Sequence, residues 1–182
     1  AVHRGQDCMS EPPSSAPRRR KGGSFELSIT ATTGHAYVPW LRSMLLRARA
    51  LMRSPLRELS VALVGDKRMS LLHEQFLGIP GPTDVLTFEL NHDARNRVTA
   101  GEVVICVPEA RRQARRRPHS SVRKELLLYA LHGMLHLTGY DDRTEDDYRQ
   151  MHRKEDEILR RLGVGPVFDN QPPSENGRGV LP

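Results

Sequence analysis

Cysteine is nearly absent, with only Cys8 and Cys106 in 182 residues. Cys8 sits in a polar tail and Cys106 in an apolar, strand-like run. No disulfide framework can be built from them, and a reducing compartment fits. No apolar run approaches the roughly 20 residues needed to span a bilayer. The N-terminal segment shows no hydrophobic signal core, and Asp7 and Glu11 count against an organelle transit peptide. The expectation includes Met9 as an alternative start. There is no internal repeat. The expectation is a cytoplasmic protein without a membrane partner.

Apolar residues are also scarce at the two ends. Residues 1–24 hold Ser, Pro, Gly and the run Arg18, Arg19, Arg20, Lys21, and residues 166–182 are rich in Pro, Gly and Asn. Neither offers enough apolar surface to offset the entropy of ordering, so both read as disordered tails, the first one basic. One domain is expected over residues 25–165. The chain carries 28 basic and 22 acidic residues, and 22 and 18 of these fall between the tails. A basic domain suits an anionic partner such as nucleic acid, although solubility alone accounts for the same balance.

What is present alternates between strand and helix patterns. "FELSIT" places Phe25, Leu27 and Ile29 against Glu26, Ser28 and Thr30, a half-buried strand. Pro39 to Met52 repeats apolar residues at helical spacing, with Pro39 in the first turn. "ELSVALV" is a second strand, and Asp66 is placed to cap a short helix through Phe76. "DVLTFEL" and "GEVVICV" are further strands, the latter apolar enough to be central, joined by the polar connection "NHDARNRVTA". A short helix is predicted over 108–117. Ser120 or Ser121 caps the next, which runs to about Thr138 and has little polar surface. Gly139 stops it, Thr144 and Asp147 form a capping pattern, and a last helix ends at Gly163. The order is mixed rather than strictly βαβ. It predicts an α+β fold, a small mixed sheet of about four strands packed with helices around a central helix.

That central helix ends in "ALHGMLHLTGYDDRT". His132 and His136 are four residues apart, so both imidazoles project from one face and can converge on one ion. Gly139 turns the chain back, and Asp142 can complete the set. Three protein ligands leave a coordination position for water, whose pKa a divalent ion lowers towards ~7. The alternative is two core histidines bonded to backbone or water. After His132, a zinc peptidase helix would carry Glu as general base, and here it is Gly133, so ordinary peptidase chemistry lacks its base. A helical glycine costs up to ~1 kcal/mol relative to Ala, which points to close backbone approach or room for a ligand.

"HGMLHLTGYDD" closely resembles the signature of the YbeY family of metal-dependent endoribonucleases. "PTDVLTF" and "GEVVICVPEA" resemble its second and third motifs in the same order, with Glu102 where Asp is more usual. The resemblance covers about residues 25–163. It implies a mixed sheet with the metal helix near the centre, and one Zn2+ per chain on His132, His136 and Asp142. It also implies endonuclease action on single-stranded RNA by a zinc-bound water, in 3′-end maturation of small-subunit rRNA and ribosome quality control. The implied partners are rRNA, the small ribosomal subunit and assembly proteins such as the Era GTPase. Two positions depart from the pattern. The third ligand is usually His and is here Asp142, a carboxylate that also suits Fe2+. An arginine usual before the Thr-Asp-Val motif aligns with Leu77, with Arg68, Arg95 and Arg97 as candidate substitutes, and His73 stands where Asn is more common.

Phosphodiester cleavage also needs cations that hold flanking phosphates. Arg111, Arg112, Arg115 and Arg116 form the candidate RNA track, and a solvated helix face accounts for them equally well. Thr83 and Asp84 shape the sheet end near the metal or simply start a strand. Two other functions compete: a non-catalytic, metal-stabilised ribosome-assembly factor, which Leu77 favours, and a metal hydrolase with a non-RNA substrate.

Overall fold

A computed structural model describes residues 24–168, so all but residue 24 and residues 166–168 of the tails expected at 1–24 and 166–182 lies outside the described residues. The elements are β1 (Glu26–Ala31), a 3-10 turn (His35–Tyr37), α1 (Val38–Met52), β2 (Glu58–Val64), α2 (Asp66–Leu77), β3 (Val85–His92), β4 (Val98–Cys106), α3 (Val107–Arg116), α4 (Val122–His136) and α5 (Glu145–Arg161). The four strands form one sheet in the order β1-β2-β4-β3. β1, β2 and β4 are parallel, and β3 runs antiparallel to β4 at the edge. The mixed α+β architecture expected from the sequence is the one observed.

The sheet is covered on both faces. Leu59, Val61, Leu63, Val103 and Ile105 belong to the main core, with α1, α4 and α5 packed over it. Val104, Cys106 and Leu86 project the other way onto Met69 of α2. β4 therefore contributes to both cores, which explains its unbroken apolar run. α4 is buried along nearly its whole length. Its one buried carboxylate, Glu125, accepts from Arg117 at 3.0 Å and from Ser120 at 2.6 Å. Burial pushes the Cys106 thiol up to about 11, so the described cysteine is an inert core group.

Several local expectations are corrected. Asp66 does not cap α2: Gly65 is the N-cap, and Asp66 instead accepts from Arg112 at 2.7 and 3.0 Å. Half of the polar connection after β3 is strand, since β3 runs to His92 and β4 starts at Val98. Only residues 93–97 turn the hairpin, and Asp93 holds it by accepting from Arg95 and Arg97 backbone amides at 2.9 and 3.0 Å. α4 ends at His136, before Thr138. Ser121 caps it, its hydroxyl accepting from the Lys124 amide, while Ser120 serves Glu125. Thr144 caps α5 as expected, accepting from the Asp147 amide at 3.1 Å. Past residue 165, Val167 and Phe168 are half-buried and donate their amides to Asp156.

Candidate metal centre

α4 lies across β3 and β4, and Gly133 is what lets it approach. A Cβ there would meet Val103 Cγ2 at 2.7 Å and Thr87 Oγ1 at 2.9 Å. The glycine after His132 thus serves close packing, which fixes the depth of both histidines above the sheet. At the helix end Gly139 adopts φ 95°, a left-handed conformation that side chains resist. The reversal carries Tyr140, Asp141 and Asp142 back beside the last turn of α4.

His132 Nε2 and His136 Nε2 are 3.0 Å apart. Asp142 Oδ2 lies 3.6 Å from the first and Oδ1 3.9 Å from the second. One ligand atom from each of the three residues lies within 4.8 Å of the others. The other ring nitrogens settle the tautomers. His132 Nδ1 donates to Glu155 Oε1 at 2.8 Å, and His136 Nδ1 donates to the Tyr140 carbonyl at 3.1 Å. In the neutral rings both protons then lie on Nδ1, so that two Nε2 lone pairs and a carboxylate converge without a donor among them. Three acceptors so placed repel one another unless a cation lies between them, so the donor set fits a metal ion. Beyond their contact with each other, His132 is oriented by a buried carboxylate and His136 by a backbone carbonyl.

Glu155 is the functional residue that sequence reasoning missed. It is fully buried on α5, and its second oxygen accepts from His152 Nδ1 at 2.6 Å. Burial raises its pKa, yet the hydrogen bonds from His132 and His152 together hold it below the usual carboxylate range. Burial opposes charge on His132, but Glu155, followed by Asp142 and Asp84, keeps its pKa above the ordinary value. A glutamate on the apolar stripe of α5, one turn after Met151, was the available signal.

The cluster opens into a groove of about 730 Å³ lined by Phe76, Leu77, Phe88, Glu89 and Arg143 among others. Arg143 is the arginine of the lining, and its side chain is 86% exposed. Sequence reasoning missed it also, although it directly follows Asp142. None of Arg68, Arg95, Arg97, Arg111, Arg112, Arg115 or Arg116 lines that groove. Arg97 is paired with Asp93 at 2.7 Å on the hairpin. Arg112 is held by Asp66 and Glu109, at 2.7 and 2.6 Å, and is committed to joining α3 to α2. Arg111, Arg115 and Arg116 lie on α3 and are exposed. Asp84 caps the start of β3 by accepting from the Val85 amide at 2.8 Å, and His73 Nδ1 lies 2.8 Å from the Gly81 carbonyl, pinning the preceding loop.

A small α+β domain with this donor set at the mouth of an open groove is a candidate metal-dependent hydrolase. Residues 27–163 match the family described as Endoribonuclease YbeY, and the chain belongs to that family. It is 43% identical over 117 residues to the Endoribonuclease YbeY of Acidothermus cellulolyticus, covering 58% of this chain and 70% of that one. It is 44% identical over 117 residues to that of Thermobifida fusca, covering 60% and 75%. With that of Geobacillus kaustophilus the identity is 37% over 134 residues, covering 68% and 85%. The fold is also similar to the solution structure of TM1509 from Thermotoga maritima, with a TM-score of 0.53 and 26% identity over 84% of this chain and 99% of the other. No helix among the described residues is long and apolar enough to cross a membrane.

Proposed function

We propose that this chain is a metal-dependent endoribonuclease that hydrolyses phosphodiesters of single-stranded RNA. The observation that carries the reading is the convergence of His132, His136 and Asp142 at the mouth of an open groove, in a chain of the YbeY family. The proposed ion is Zn2+, and two imidazoles with a carboxylate also suit Fe2+. When bound, such an ion supplies Lewis acidity and lowers the pKa of water. The chain's own residues do the rest. His132, His136 and Asp142 hold the ion, and Glu155 and the Tyr140 carbonyl fix the imidazoles. Arg143 offers a guanidinium to a phosphate of the strand in the groove. Phe76 and Phe88, edge to face at 4.8 Å, give the same groove an aromatic wall suited to an unpaired base.

The family resemblance supports the finer reading: 3′-end maturation of small-subunit rRNA and ribosome quality control in the cytoplasm, beside the small ribosomal subunit and the Era GTPase. The α3 arginines Arg111, Arg115 and Arg116 would extend the contact to RNA beyond the groove. A second reading, a metal-stabilised assembly factor without cleavage, is favoured by Leu77. It is 58% exposed on the groove wall, where the family resemblance places an arginine.

The deciding experiment is cleavage of precursor small-subunit rRNA by highly purified protein, with chelator and His136→Ala as controls. Cleavage lost in both controls supports the nuclease. RNA binding at one metal equivalent without cleavage supports the assembly factor. Cleavage that survives His136→Ala points to a contaminating nuclease.

A further inference from the structure

Residues 166–168, Pro-Val-Phe at the start of a polar stretch, are fastened to α4 and α5. Lys124 Nζ of α4 donates to the Pro166 carbonyl at 2.7 Å. The Val167 and Phe168 amides donate to Asp156 Oδ1 of α5 at 2.7 and 3.2 Å. The Phe168 ring stacks on His152 with centroids 3.8 Å apart and planes 27° apart, and the Arg117 guanidinium carbon lies 6.0 Å from the same ring. Tyr148 meets His152 edge to face at 3.9 Å.

His152 is an unusual choice for that position. Its Nε2 is buried and has no hydrogen-bond partner among the described residues. A leucine would fill such a space without leaving a buried polar atom unsatisfied, which carries a free-energy penalty. The polar bond that His152 does make runs from Nδ1 to Glu155 Oε2, at 2.6 Å. The other oxygen of Glu155 is the acceptor for His132 Nδ1. A carboxylate tethered at both oxygens cannot swing about its side-chain torsions. One tethered only by His132 can turn towards whatever donor replaces His152, and the imidazole turns with it.

We infer that Phe168 and His152 are positioning residues of the metal centre: the strap at 166–168 orients His152, His152 locks Glu155, and Glu155 holds His132 in its metal-binding pose. The inference rests on the reading that His132, His136 and Asp142 hold the ion. Groups that hydrogen-bond a metal ligand directly typically alter affinity by about 10–100-fold. The chain of contacts here is one link longer, which sets the expectation at the low end.

The test is the Zn2+ dissociation constant of the full chain, measured by competition with a chromophoric chelator, together with the absorption spectrum of the Co2+-loaded protein. His152→Leu keeps apolar volume against Phe168 and Tyr148 but removes the donor to Glu155. It is expected to bind Zn2+ about tenfold more weakly and to shift the Co2+ spectrum. His152→Gln restores a donor and is expected to recover most of the affinity. Phe168→Ala should show a smaller loss that disappears in the His152→Leu background, since both act along one chain of contacts. A merely structural role would lower thermal stability in all three without separating Leu from Gln. Unchanged affinity and spectrum in His152→Leu, or equal affinity for Leu and Gln, overturns the inference. Should His152→Leu fail to fold, unchanged affinity in Phe168→Ala overturns it instead. His136→Ala is the control: full metal content there would sink the metal-site reading itself, whereas its loss beside an unaltered His152→Leu would sink only the positioning role.

Discussion

His132 Nδ1 lies 2.8 Å from Oε1 of Glu155, a carboxylate that is 0% exposed and takes its second hydrogen bond from His152. Two buried imidazole N–H groups depend on this one side chain. Glu155→Ala is expected to lower stability by about 3 kcal/mol, because it strands both donors in the interior. Glu155→Gln should lose less, since its amide oxygen still accepts one bond. Urea unfolding of the metal-free protein measures both, and a loss in Glu155→Ala below about 1 kcal/mol would contradict the pairing.

Gly133→Ala tests the seat of the metal helix. The added methyl would overlap Val103 and Thr87, so α4 must lift off β4. A destabilisation of about 1–3 kcal/mol is expected, with weaker metal binding because both histidines ride on that helix. A thermal melt and a metal titration on the same sample check it. An unaltered melt would mean that the sheet yields at Val103 at no cost.

Asp142→Ala removes the one carboxylate from the donor set. Its metal affinity should fall by more than the about 10–100-fold typical of an outer partner. Elemental analysis after dialysis reads this directly, and full metal content would remove Asp142 from the site. Asp142→His should restore binding and shift the preference from iron towards zinc.

Two arginine variants separate the groove from the α3 surface. Arg143→Ala should weaken RNA binding and make its salt dependence shallower by about one ion. Arg115→Glu with Arg116→Glu should do so only if the α3 face carries RNA as well. Filter binding of a labelled single strand at several salt concentrations gives both slopes. An unchanged slope in the α3 variant would leave that helix as a solvated face.

Arg97 holds the Asp93 carboxyl down to about 2 on the exposed hairpin. A carboxylate depressed in the folded state stabilises it fully above its ordinary value of ~3.9 and loses that contribution as pH falls towards the folded value. Carboxyl titration followed by NMR should place Asp93 well below its neighbours, and Arg97→Gln should return it towards the ordinary range. A normal titration in the parent protein would contradict the hairpin geometry.

The elements and the candidate metal cluster were determined by local sequence. Alternation marked β1 and β2, and the spacing of His132 and His136 placed both on one helical face. Gly139 and Asp142 followed close enough for the turn to complete the set. Those relations span a few residues, so backbone geometry alone enforces them. Tertiary structure decided the rest. Glu155 lies 23 positions from His132 and meets it only because α5 packs on α4. Arg112, one of five similar arginines in its stretch, is set apart by Asp66, 46 positions away. Residues 166–168 look like tail by composition, and become part of the domain through Asp156 and Lys124. Composition and periodicity report which residues are apolar and which face they share. They do not report which distant partner satisfies a buried charge, because that is set by the packing of whole elements.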